Sequence, residues 1–187
     1  TGAQAYLTGV RTDYDVLTIQ DKSIITNKIK VAAKNADPTF NGNRQGTIRI
    51  SGVSTETAYE GTVAGQSWTV TTDNDDTYSD ALGKIKTAID NLSISNLTVT
   101  KLKDNLRLVR TGASFTLTGT GGPYANQMNV FQDSVATLSE LPTESIHNHV
   151  VKIINSGALT SAYYLKFVAN NGTSGPGYWT ESLAPDT

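Results

Sequence analysis

Thr77-Tyr78-Ser79-Asp80-Ala81-Leu82-Gly83-Lys84-Ile85-Lys86-Thr87-Ala88-Ile89-Asp90-Asn91-Leu92 is the stretch on which the fold turns. Ala81, Leu82, Ile85, Ala88, Ile89 and Leu92 recur at the spacing that gathers apolar side chains into one stripe of an α-helix. Thr77 and Asp80 have the separation of a capping box, with Asp in place of the usual Glu or Gln. Asp80 and Lys84 lie one helical turn apart, so an ion pair between them is expected on the outer face. Just upstream, Asp73-Asn74-Asp75-Asp76 resembles the opening of a calcium loop. An EF-hand needs Gly at its sixth position and Glu at its twelfth, however, and those positions are Tyr78 and Lys84. The carboxylates suit the positive end of a helix dipole instead, with Asp76 or Thr77 as the cap.

On either side of this helix the period changes from that of a helix to that of strands. Thr47-Ile48-Arg49-Ile50-Ser51, Ala58-Tyr59-Glu60-Gly61-Thr62-Val63 and Gln66-Ser67-Trp68-Thr69-Val70-Thr71 precede it, the last two joined by Ala64-Gly65 as a hairpin. Leu97-Thr98-Val99-Thr100, Leu106-Arg107-Leu108-Val109-Arg110 and Ser114-Phe115-Thr116-Leu117-Thr118 follow it, with turns at Asp104-Asn105 and Thr111-Gly112. Three strands, a helix and three strands make a compact βββαβββ unit over residues 42–120. A helix with one apolar stripe buries it on the face of a sheet, so the expected class is α+β. It is predominantly β, with antiparallel or mixed sheets and one amphipathic helix at about 77–92.

The ends of the chain read as strands too. Tyr14 to Gln20, Ser23 to Asn27 and Ile29 to Val31 are β-branched and apolar, with Asp21-Lys22 as a two-residue turn. Asn35 to Asn43 is rich in turn residues and marks a boundary. His149 to Ile154, Ala162 to Val168 and Tyr178 to Glu181 are further strands, whereas Met128 to Leu141 fits a short helix or an irregular strand equally well. The expected organisation is a β-rich subdomain built from 1–36 and 141–187, the unit 42–120, and a connecting segment 121–140. No internal repeat of fixed period emerges.

Composition agrees with this reading. Of 187 residues, 27 are Thr, 15 Ser, 14 Asn and 16 Gly, whereas 17% are charged, against a typical share of about 25%. The net charge is −2 and the pI about 5.6, which disfavours bulk attraction to nucleic acid or anionic membrane. The absence of Cys excludes disulfide scaffolds, thiolate nucleophiles and the usual structural zinc sites. No apolar run approaches the roughly 20 residues of a membrane span, so no membrane anchor is expected. The chain begins without Met at Thr1-Gly2-Ala3-Gln4-Ala5-Tyr6-Leu7, which reads as the interior of a larger protein.

Candidate chemistry is sparse. His147 and His149 alternate, which on a strand would put two imidazoles on one face, where Glu140 or Glu144 could complete a metal site. No third ligand stands at a fixed spacing, and the plainer reading is a polar start to an apolar strand. Glu56, Glu60, Asp133, Glu140 and Glu144 could pair for glycoside hydrolysis, but no local pattern singles out two of them. There is no Gly-x-Ser-x-Gly elbow, and Gly119 to Gly122 lacks the Lys-Ser/Thr of a phosphate loop. Lys84, Lys86, Lys101, Lys103, Arg107 and Arg110 form a basic run that could border nucleic acid. A solvated sheet face that blunts an edge is the commoner use of such a run. No catalytic, cofactor-binding or metal residue is therefore assigned.

The ordered series of strands resembles a known family. Tyr6-Leu7-Thr8-Gly9, Val16 to Asp21 and Ile24 to Lys28 are similar to the tail tubular protein B family, the nozzle proteins of short-tailed bacteriophages. Ser139 to Pro142, Val150 to Ile153, Tyr163 to Phe167 and Gly177 to Glu181 resemble the later part of the same region, in matching order. The resemblance implies a fragment from the N-terminal half of a virion tail protein that is not an enzyme. It implies partners as well: other copies of itself in a ring, usually a hexamer; the adaptor, tail tubular protein A; tail fibres; and DNA in transit during ejection. No catalytic residue or cofactor carries over. A different class, a virion-displayed carbohydrate-binding or polysaccharide-degrading module, requires Trp68, Trp179, Tyr163 or Tyr164 to form an exposed platform.

Overall fold

Alternating β-branched and aromatic side chains favour the pleated sheet, and the strands fall where those runs lie. The computed structural model describes residues 8–29, 42–121, 127–154, 162–183 and 185. The chain divides into two units, Thr1–Ala36 and Asp37–Thr187. In the first, β1 (Tyr14–Ile19) and β2 (Lys22–Asn27) form an antiparallel hairpin. Its turn is Gln20-Asp21, one residue earlier than the sequence suggests, and Gln20 takes a φ of 56° to make it. Ile29 lies in a turn and not a strand, and the rest of that expected strand falls outside the described residues.

The second unit opens with β3 (Gln45–Ile50), β4 (Ala58–Val63), β5 (Gln66–Thr71) and α1 (Tyr78–Asn91). β6 (Leu97–Lys101), β7 (Asn105–Arg110) and β8 (Leu117–Thr120) complete the expected three-strand, helix, three-strand order. β9 (Met128–Phe131) and β10 (Ser134–Val135), with a 3-10 turn at Leu138–Glu140, settle the segment that fitted a helix or a strand. β11 (Glu144–Ile146), β12 (Val150–Ile153), β13 (Tyr163–Ala169) and β14 (Ser174–Ser182) end the chain.

These strands make three sheets, ordered β6-β7-β3-β9, β5-β4-β8 and β10-β12-β13-β14-β11. Every pair is antiparallel except β10 with β12. The fold is thus α+β and predominantly β. The turn between β4 and β5 is Ala64-Gly65, with φ of 53° and 80°, the two positive values that a tight hairpin needs. Gly61 faces Trp68 across that hairpin. A Cβ there would run into the ring and the Thr118 carbonyl, so the strands can approach only at glycine.

The helix cap forms as its spacing implies. Asp80 N donates to Thr77 Oγ1 at 3.3 Å, and Thr77 N donates to Asp80 Oδ2 at 3.0 Å. The Thr77 hydroxyl and amide hold the Asp80 carboxyl below its usual range. Asp80 is therefore committed to the cap, and the expected pair with Lys84 does not form. Lys84 reaches instead to Asp73 and Asp76, both at 2.6 Å, and ties the preceding loop to the helix. The stripe Ala81, Leu82, Ile85 and Ile89 is fully buried and packs with Ile48, Ile50, Leu106 and Leu108 from β3 and β7. Tyr59, Val63 and Trp68 from the three-stranded sheet close this core.

The opposite face of β3 and β7 is covered as well. Asn105 Nδ2 donates to the Glu144 carbonyl at 2.9 Å, and Gln45 Nε2 donates to the Val150 carbonyl at 3.3 Å. Phe131 joins a second apolar cluster with Val151, Ile153 and Leu165. The four-stranded sheet is therefore the middle layer of the second unit, apolar toward the helix and polar toward the five-stranded sheet.

Candidate assembly interface

The polar layer gathers several residues that the sequence marks out. Arg107 faces Thr47 across the β3–β7 pair and is 1% exposed. Arg107 Nη1 donates to the Gly46 carbonyl at 2.9 Å and Nη2 donates to Gln45 Oε1, so its partners are neutral oxygens. Burial lowers its pKa to about 9, which still leaves it charged at neutral pH. His149 is also 1% exposed, stacked on Phe131 and set edge-on to Trp179. Its Nδ1 lies 2.6 Å from Ser145 Oγ. Burial first, and the charge of Arg107 second, push it well below 6.5.

The expectation that His147 and His149 share one face of a strand is corrected. His147 and Asn148 form the turn between β11 and β12, where Asn148 takes a φ of 65°. His147 Nδ1 accepts a bond from the Ala169 amide at 3.3 Å while His149 goes inward. No group of three or more His, Asp or Glu that could hold a metal occurs among the described residues.

The basic run disperses. Arg107 is buried, and Lys103 sits in the β6–β7 turn and not on a strand. Lys84 and Lys86 pair with acids beside them. Lys101 Nζ donates to Ser79, and Arg110 donates to the Ser95 and Ser114 carbonyls. The acids scatter likewise. Glu140 caps the 3-10 turn at Thr137, and Glu60 is the one carboxylate lining a groove of about 360 Å³ over the three-stranded sheet. Trp68 is 4% exposed, and Trp179 Nε1 donates to the Pro142 carbonyl at 3.0 Å, so neither stands on a flat platform. Tyr163 and Tyr164 are half-buried.

Exposed large apolar residues gather on the hairpin. Cross-strand pairing puts Val16 with Ile25 on one face and Leu17 with Ile24 on the other. These four and Ile19 are 44–62% exposed. Among the described residues of the first unit no further strand or α-helix packs on this two-stranded ribbon, so apolar residues point outward on both of its faces. Complete burial of the five would contribute on the order of 5 kcal/mol. Arg11, Tyr14, Val16 and Ile25 line a shallow groove of about 450 Å³ on one face. The sequence holds the signal for this: Val16-Leu17 and Ile24-Ile25 are adjacent apolar residues, which in strands must point to opposite faces.

The described residues thus combine layered sheets in the second unit with a ribbon in the first that exposes apolar side chains on both faces. The family model for the bacteriophage nozzle protein matches residues 1–187, and the chain belongs to that family. It is accordingly a structural component of the virion tail. No curated protein matches it.

Proposed function

We propose that this chain forms part of the wall of the nozzle tube, which conducts DNA during ejection, and that it works by shape and contact without catalysis. Copies stand side by side in a ring, six in the complete nozzle, below the adaptor ring and beside the tail fibres. The observation that carries this reading is the hairpin itself, because a ribbon with exposed Val16, Leu17, Ile19, Ile24 and Ile25 gains stability when a neighbour covers it. Charge supports it as well. The net charge is −2, and Lys84, Lys86 and Lys101 of the basic run are engaged internally, which weakens that run as a hold on a passing polyanion.

The test is a phage carrying Leu17→Glu together with Ile24→Glu. Tails imaged by electron microscopy are expected to lack an ordered nozzle, while the purified variant keeps its far-ultraviolet dichroism. Complete tails with normal infectivity would show that the hairpin is not an assembly surface.

A further inference from the structure

The five-stranded sheet carries an open edge that matches the hairpin. β14 pairs with β13 from Gly177 to Ser182, and on its other side pairs with β11 only from Ser174 to Pro176. From Gly177 onward that second side has no strand partner among the described residues. Tyr178 at 59% and Leu183 at 74% stay exposed beside it. Proteins usually blunt a free edge with Pro, Lys or a bulge, because its unpaired amides and carbonyls template another strand. Tyr178-Trp179-Thr180-Glu181-Ser182-Leu183 contains no Pro and no Lys. β2 is the counterpart: it pairs with β1 along one side, has no strand partner on the other among the described residues, and over Lys22–Thr26 matches the open edge in length.

We propose that β2 of one copy adds to the open edge of β14 in a neighbouring copy, antiparallel, with Lys22 opposite Glu181. The inference rests on the reading of the hairpin as an assembly surface and names its occupant. In that register Ser23 lies opposite Thr180, and Ile25 lies opposite Tyr178. Among the described residues neither Lys22 nor Glu181 has an ion-pair partner. Pairing them therefore joins two free charges, while Ile25 and Tyr178 cover each other's exposed surface. In the single chain Ile25 is 44% and Tyr178 59% exposed, so each strand still lacks its cover. One donor strand and one acceptor edge per copy make a head-to-tail contact, and such contacts close into a ring when the rotation allows.

The 187 residues contain no Cys, so the introduced thiols are the only ones within them, and tails of the unsubstituted phage run alongside give the background from every other tail thiol. Phage carrying Ser23→Cys with Thr180→Cys is assembled, its purified tails are treated with oxidised glutathione, and they are run on a non-reducing gel. Directly opposed antiparallel residues are about 4.5–5.5 Å apart at Cα, within the range a disulfide spans. The expected result is a ladder of covalent multimers that collapses on reduction, with each single-Cys variant remaining monomeric. A monomer band alone, including a fast-running internally bridged form, overturns the proposal. A charge exchange serves as a second measurement. Lys22→Glu and Glu181→Lys are each expected to reduce assembled tails at least tenfold, and the two together to restore them; no recovery also overturns it. If the Leu17→Glu/Ile24→Glu tails fail while no ladder forms, the hairpin remains an assembly surface with a different occupant. If those tails are normal, the underlying reading fails first.

Discussion

Arg107 and His149 show how a residue type alone misleads. In the sequence Arg107 stands among Lys101, Lys103 and Arg110 and looks like part of a solvated stripe. Its neighbours Leu106 and Leu108 are legible as one buried face of a strand, which puts Arg107 on the other face. Missing from the local pattern is the five-stranded sheet, whose strands lie after residue 133 and cover that other face. Arg suits the place better than Lys because its planar fork reaches the Gly46 carbonyl and Gln45 together. Burial first, and then the positive charge of Arg107 beside it, disfavour the imidazolium and give His149 a definite pH dependence. Its folded pKa is depressed, so the unfolded chain takes up the proton first as pH falls below 6.5. The stability it supports is complete above that value and declines below it, by up to about 1.4 kcal/mol per pH unit, until the folded pKa is reached. Urea denaturation between pH 7.5 and 5.5 checks this. His149→Phe, which keeps an aromatic ring against Phe131 and Trp179, is expected to flatten that part of the profile.

At the scale of elements, the helix was the most legible part of the chain. Its stripe and its cap follow from residue spacing, and its burial on a sheet follows from the stripe, whereas the outer ion pair did not form as expected. Asp80 can satisfy either the helix end or Lys84. The backbone amide of Thr77 has no intrahelical partner, and it lies within reach. Lys84 then turns to the loop acids, which no spacing rule within the helix includes. Thr77→Ala is expected to lower stability by about 1 kcal/mol through the lost cap. Ile85→Ala, which opens a cavity among Leu82, Leu106 and Leu108, costs about 2–5 kcal/mol. Chemical denaturation of the two variants side by side tests that ranking. The hairpin turns were legible to within a residue: Ala64-Gly65 falls where its residue types place it, whereas the first turn moved from Asp21-Lys22 to Gln20-Asp21. Gln has no special tolerance of positive φ, so nothing in the residue types announces that turn.

For the whole molecule, strand content was readable and strand order was not. β3 lies between β7 and β9, which follow it by about 55 and 80 residues, and pairings at such separation leave no trace in local period. The central strands β3 and β7, covered on both faces, are expected to have the slowest amide hydrogen exchange in the isolated chain. The amides of β2 that face away from β1 are expected to exchange quickly there and to become protected in assembled tails, as mass spectrometry can resolve. The family role was legible from ordered stretches such as Val150 to Ile153 and Gly177 to Glu181, and not from any site, since the sequence assigns none. The two unlike faces of the four-stranded sheet have a mechanical consequence. Water pressed toward the helix meets a core that is apolar but for isolated groups such as Trp68 Nε1, whereas water reaching the other face meets Thr47, Asn105, Arg107 and His149 together, each with a polar atom still able to bond it. Under load the second unit is therefore expected to part first between the four-stranded and the five-stranded sheet.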